Sequence, residues 1–254
     1  MTSFKVATCT VTFDGYQDPR GTARRMTFLS NATFELSKRG IELFILPGGY
    51  LFASSDTDLH VLQKQVVDLA IAAGIDLLVG MDVNVKDPHP DMELIRLGQL
   101  GAFAILASRN GRSAIWQQRT TTSKNQYLVS GAVCQEERLL RVVPRVESLI
   151  CGEIFNERIR AGLIARKTVL VIDQAHTAQR FRVWAAMRLL AISGISSLCS
   201  VHADIREAVK YCYVPGRSGW KEESSRAIDL GIGKEPQLGI KVWDFDLTGR
   251  IVAC

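Results

Sequence analysis

The chain has no long apolar run, no closely paired cysteines and no bulk charge of one sign. Each absence removes a class of function. Without a run of membrane-spanning length, no transmembrane helix is expected. The six cysteines (Cys9, Cys134, Cys151, Cys199, Cys212, Cys254) form no CxxC pair and no zinc spacing, so no metal site is expected. Basic residues number 31 against 26 acidic ones, a net charge of +5 that is modest and scattered. That gives no footprint for nucleic acid. Neither GxGxxG nor GxxxxGK[ST] occurs, which argues against a bound nucleotide, and no cofactor is expected. The opening residues Met1-Thr2-Ser3-Phe4-Lys5 lack a signal-peptide pattern, and a cytoplasmic protein with reduced thiols is the expectation.

Apolar residues make up 47% of the 254 positions, enough for one large core, so a single α/β domain over 1–254 is expected. Lys5 to Phe13 alternates and is rich in Val and Thr, as a strand does. The spacing predicts a helix over Thr22–Arg39, with Met26, Leu29, Thr33 and Leu36 on one face and Gly40 as its stop. A strand over Ile41–Leu46 breaks at Pro47-Gly48-Gly49. A helix over Thr57–Ala73 ends at Gly74, and a strand over Asp76–Val83 follows. Ala102–Ala107 and Ser113–Gln118 flank Asn110-Gly111, a hairpin turn signal. Further strands are expected over Leu139–Val143, Thr168–Ile172 and Ser196–Val201, with helices over Glu157–Lys167 and Phe181–Ile192. Tyr213–Gly239, rich in Gly, Pro and charge, is expected to be mostly loop. Ile240–Phe245 and Arg250–Ala253 then form a closing hairpin around Thr248-Gly249. Helix–strand alternation at both ends with hairpins between them predicts a layered α/β sandwich.

One stretch stands out, Arg145 to Glu157. An apolar strand ends in Cys151, Gly152 allows a sharp turn, and Asn156 is placed to cap the following helix. Such an elbow lifts a side chain out of a sheet into a cleft, and the nearby helix N-terminus favours the thiolate. A buried cysteine closing a core strand is the other way to read it. Beside Cys151, Glu153 can orient a substrate amine or act as a base, or simply be an acidic residue favoured near a helix start. His176 follows the strand Thr168–Ile172 and can pair with Cys151 as a base. Asp173 competes for that part, and His202 ends another core strand.

Taken in order, these segments resemble the carbon–nitrogen hydrolase (nitrilase) superfamily. The likeness rests on Phe44 to Phe52 with its strand-ending Pro47, on Leu77-Leu78-Val79-Gly80, on the hairpin, on Leu149-Ile150-Cys151-Gly152-Glu153, on Val169 to Ile172 with its following loop, and on Arg188 in the helix from Trp184. It covers nearly the whole chain. The resemblance implies a single-domain α-β-β-α sandwich of four layers that pairs through helical faces. It also implies a Glu–Lys–Cys triad that hydrolyses amides or nitriles through a cysteine acyl-enzyme.

The sequence departs from that pattern at two of the three triad positions. Gly48 stands where the family has its glutamate, and glycine cannot be a general base. Arg119 or Thr120 stands where the family has its lysine, with Lys124 a little further on as another source of positive charge. Arg119 and Lys124 are thus candidates to bind a substrate carboxylate or oxyanion. Gly48 with Gly49 is either a tight turn or room for a larger ligand. Two functions follow as expectations. One is a divergent carbon–nitrogen hydrolase acting on a small molecule through Cys151. The other is a non-catalytic relative that keeps the fold as a ligand-binding or assembly module. A homodimer or larger assembly is expected from either.

Overall fold

A computed structural model describes residues 3–13, 22–54, 56–83, 101–118, 145–176, 180–204, 212–215, 221–222, 226–228 and 238–246. In chain order the elements are β1 (Ser3–Phe13), α1 (Thr22–Lys38), β2 (Leu43–Ile45), β3 (Leu51–Ala53), α2 (Asp56–Ala73), β4 (Asp76–Val83), β5 (Gly101–Ala107), β6 (Ser113–Gln117) and β7 (Val146–Ile150). After a short 3-10 turn at Cys151–Phe155 come α3 (Glu157–Ala165), β8 (Leu170–Ala175), α4 (Arg180–Ile192), β9 (Ser196–Asp204), β10 (Cys212–Val214), β11 (Lys221–Glu222), β12 (Arg226–Ile228) and β13 (Leu238–Asp246).

The strands form two layers. The first runs β12-β13-β1-β2-β4-β5-β6, with β1, β2 and β4 parallel and the others antiparallel; β3 continues the row of β2 along the far half of β4, parallel to it. The second runs β7-β8-β9-β10-β11, with β7, β8 and β9 parallel. β9 joins them, pairing with β8 over Ser196–Val201 and with β1 from Val201 to Asp204.

Side-chain alternation then decides the layers. On β2 and β4, Phe44, Leu77 and Val79 pack against α1 and α2, together with Leu29, Leu36, Val66 and Ala70. Their neighbours Leu43, Ile45 and Leu78 turn the other way. They meet Val146, Ile150, Leu170 and Ile172 of the second sheet, with Trp116, Trp243 and Phe245. On the far side Leu149, Val171, Cys199 and Val201 pack under α3 and α4, against Leu163, Met187 and Leu190. Three apolar seams separate four layers, α-β-β-α, as the sequence leads one to expect. Each fully buried large aliphatic or aromatic side chain contributes roughly 1.5–3 kcal/mol, so all three seams hold the sandwich together.

Several boundaries differ from the sequence expectation. Within Tyr213–Gly239, expected to be mostly loop, lie the ends of β10 and β13 and the short strands β11 and β12. Two or three residues are too few to display a period of two. β8 starts later and runs on to Ala175, so Asp173 is a buried strand residue and not part of a loop. The expected strand Leu139–Val143 and the second arm of the closing hairpin lie outside the described residues.

Candidate active site

The site lies where the ends of β2, β4, β7 and β8 meet. β7 runs buried to Ile150 and stops at Cys151, whose φ of 45° lies in the left-handed region. A non-glycine residue held there is strained by about 1–3 kcal/mol, and such strain persists only where the surroundings impose it. Two contacts impose it. The buried Glu153 carboxylate accepts the backbone N–H of Ile150 at 3.0 Å, closing the turn on itself. The Asn156 side chain accepts N–H bonds from Arg158 and Ile159 at 2.9 and 3.2 Å, capping α3 as its place in the sequence suggests. Cys151 is half-buried and packs at the edge of the seam between the sheets.

His176 follows β8 directly. Its Nε2 lies 2.7 Å from Asp82 Oδ1 on β4, which leaves Nδ1 as the ring nitrogen for Cys151, on whose thiol the imidazole acts. Histidine and aspartate side chains are each about one-fifth exposed. Burial pushes the Cys151 thiol up. The hydrogen bond to His176, its positive charge and its backbone N–H outweigh burial and bring the thiol below its ordinary value, while the Asp82 charge opposes them. For His176 burial acts downward. The charge and hydrogen bond of Asp82, then those of Cys151, overcome it and hold the imidazole well above the ordinary histidine value.

The Pro47–Tyr50 turn forms the floor. Tyr50 N–H donates to Pro47 O at 3.3 Å, and Gly49 has φ 64°, as the third position of a type II turn requires. Arg25 of α1 donates to the carbonyls of Gly49 and Tyr50 at 3.2 and 2.7 Å, clamping the turn. Gln174 of β8 reaches across the seam and donates to Leu46 O at 2.8 Å while its own oxygen accepts from Ser148. This places the turn and His176 in a fixed relation. A Cβ on Gly48 would come within 2.8 Å of His176 Nδ1 and 2.7 Å of Gln174 O. The imidazole therefore occupies the space into which a side chain at 48 would grow.

Among the residues singled out from sequence, Cys151, Glu153, His176 and Gly48 are gathered here. Arg119 and Lys124 lie outside the described residues. Asp173 shares the helix-side face of β8 with Val171 and Ala175. Its oxygens lack hydrogen-bond partners, and burial, then the charges of Cys151 and Glu153, hold it well above the carboxylate range while His176 opposes them. His202 is buried, and burial with the charges of Arg25 and His176 brings it down to about 3, so it stays neutral. Glu147 is engaged away from the elbow, gripped by Arg166 at 2.9 and 2.7 Å and by Thr168. Asp82 was not singled out from sequence. Its one signal was a carboxylate near the end of the otherwise apolar run Leu77–Val83. No group of three His, Cys, Asp or Glu among the described residues is placed to hold a metal, and no described helix is long and apolar enough to cross a membrane.

No protein-family model matches the sequence, and no curated protein sequence does. Solved structures do match in shape. A mutant of the amidase from Nesterenkonia sp. AN1 in complex with butyramide superposes with a TM-score of 0.62 at 16% identity, covering 97% of this chain and 92% of that one. Another mutant of that amidase, showing covalent addition of the acetamide moiety of fluoroacetamide at the active site cysteine, gives 0.59 at 15% identity, over 97% and 91%. A further mutant, described as belonging to the nitrilase superfamily, gives 0.56 at 15% identity, over 98% and 85%. The chain has the nitrilase-superfamily fold. The superpositions span nearly the whole chain.

Proposed function

We propose that this protein is a carbon–nitrogen hydrolase that acts on a small amide- or nitrile-like substrate through Cys151, with His176 as its base. The observation that carries the proposal is the strained elbow at Cys151 beside the His176 imidazole, which Asp82 holds at 2.7 Å and whose charge acts on the thiol. The thiolate attacks the carbonyl carbon of an amide, and the carbonyl electron pair moves onto oxygen. As the tetrahedral species collapses, the C–N bond breaks and the imidazolium gives its proton to the departing nitrogen. An amine or ammonia leaves, and a thioester remains on Cys151. Water then attacks the thioester carbon and gives a proton to the neutral imidazole; the C–S bond breaks, releasing a carboxylic acid and restoring the thiolate–imidazolium pair. Arg119 and Lys124 are the proposed cations for the oxyanion or a substrate carboxylate, on the strength of the resemblance and their charge. Glu153, whose carboxylate holds the Ile150 N–H, is assigned to keeping the elbow in shape.

The chain is proposed to act as one domain, in a compartment that keeps thiols reduced, and to pair through its helical layers. On α3, Ile159 and Leu163 are buried in the chain's own core. Ile164 is exposed, with Leu189 and Ile192 of α4. The competing reading, a ligand-binding relative without turnover, draws on Gly48 standing where the family has a glutamate. Incubation with a panel of small aliphatic amides and nitriles, followed by intact-mass spectrometry, separates the two. A thioester mass shift with release of ammonia, both lost in Cys151→Ser, is the expected result. No adduct and no ammonia across the panel would favour the binding module.

A further inference from the structure

We propose that Asp82 is the positioning residue of this site, and that Gly48-Gly49 is the opening through which an Asp82–His176 pair replaces the side chain that a nitrilase-fold enzyme brings in from that turn. The proposal rests on the reading of His176 as the base of Cys151 and extends it to a unit of three residues from β4, from the end of β8 and from the elbow. Its geometry is specific. Asp82 Oδ1 holds His176 Nε2 at 2.7 Å, so the ring cannot rotate away without breaking that contact. A Cβ at 48 would meet His176 Nδ1 at 2.8 Å and Cε1 at 2.9 Å, and a Cβ at 49 would meet Asp82 Oδ2 at 2.6 Å and His176 Cδ2 at 3.0 Å. Two consecutive positions thus lack side chains where the imidazole and the carboxylate stand. A side chain at either position would displace the pair.

The chemical role follows from which atoms touch. Asp82 accepts from Nε2–H, fixing the proton there in the neutral ring and leaving the Nδ1 lone pair toward the thiol. When the thiol proton passes to Nδ1, the carboxylate stabilises the resulting imidazolium. No bond to carbon is made or broken by Asp82, and the proton it faces remains on Nε2 throughout. Other groups act on the same pair. Asp173 of β8 and His202 of β9 feel the His176 charge, Glu153 acts through Asp173, and Cys199 senses Cys151 and Asp173. Asp82 is the one whose contact with the imidazole is a short hydrogen bond.

The test is the pH profile of Cys151 alkylation by iodoacetamide, read by peptide mass spectrometry in the intact protein, in Asp82→Asn and in Asp82→Glu. This readout does not depend on amide turnover. The parent should label Cys151 well below the ordinary thiol value of about 8.5. In Asp82→Asn the loss of support for the imidazolium should outweigh the loss of the direct repulsion between Asp82 and the thiolate, so the apparent midpoint should rise toward that value, with labelling at pH 6.5 falling roughly tenfold or more and labelling at pH 9.5 nearly unchanged. One pH unit of midpoint shift is a tenfold change in thiolate fraction below the midpoint. Asp82→Glu should recover part of the low-pH labelling. Superimposable profiles for parent and Asp82→Asn would overturn the proposal and leave the hydrolase reading standing. A shifted profile without any thioester from the amide panel would support the Asp82 role and remove the hydrolase reading. Should Asp82→Asn fail to fold, the parent still decides. Its His176 ring signals by NMR should titrate above the ordinary histidine value, and less so after Cys151 is alkylated. Titration at the ordinary value would overturn the proposal.

Discussion

Among the described glycines, Gly80 of β4 leaves the least room for a side chain, and replacing it by alanine is the sharpest test of how the site is held. An added Cβ would sit 2.1 Å from Pro47 O, 2.5 Å from Gly48 Cα and 2.7 Å from Pro47 C. All three are backbone atoms, so no flexible side chain can swing aside. To reach even a 3.0 Å contact, the Pro47–Gly48 turn or β4 must retreat by about 0.9 Å. Overpacking of that kind costs roughly 1–3 kcal/mol. The same shift strains the Leu46 N–H bond to Leu78 O and the Gln174 bond to Leu46 O, at 2.9 and 2.8 Å, each contributing about 1 kcal/mol net. Together the loss should be about 3 kcal/mol, a fall in Tm of roughly 6–12 °C for a chain this size. Because the turn lies directly against His176, a displacement near 1 Å is also expected to lower acylation on the order of 100-fold. The assay is thermal unfolding by circular dichroism, paired with the rate of thioester formation. Gly239→Ala is the control, since nothing lies within 4 Å of a Cβ there, and it should stay within about 0.5 kcal/mol of the parent. A Gly80→Ala protein with the parent's Tm and the parent's acylation rate would refute the argument that this contact sets the position of the turn.

Other outcomes follow from particular contacts. Asn156→Ala removes the acceptor for two α3 N–H groups and should cost about 1 kcal/mol, read as a Tm lowered by roughly 2–4 °C. Arg166→Met leaves the Glu147 carboxylate, 3% exposed, without its guanidinium and should cost about 3 kcal/mol in urea unfolding. Adding Glu147→Leu to that variant should restore most of the loss, and failure to do so would show that the cost lies elsewhere. Light scattering at micromolar concentration should give a mass of at least twice 28.1 kDa, with Leu189→Glu and Ile192→Glu shifting it toward the monomer. A parent that runs as a monomer would remove the pairing proposal.

Much of this protein is determined within short windows of its sequence. The helices over α1 to α4 follow from apolar spacing. Asn156 caps α3 because a short polar acceptor precedes a helix start, and Cys151 terminates an apolar strand at a glycine that permits a turn. A layered α/β sandwich follows too, from alternating strands and helices, whereas the four-layer order, and the expectation of a glutamate at position 48, came only from the family resemblance. Which residues meet around Cys151 and Gly48 was decided by the tertiary structure alone. Asp82 and His176 lie 94 positions apart, and Gln174 and Leu46 lie 128 apart. Periodicity and capping act over one or two turns of chain, so they carry no record of such meetings. The meetings depend on β2 pairing with only the first half of β4, so that β4 runs on to Asp82, and on β8 ending so that His176, just past it, arrives against Gly48. A carboxylate near the end of an apolar strand is, from sequence, one more polar strand end; register and layer packing place it against an imidazole.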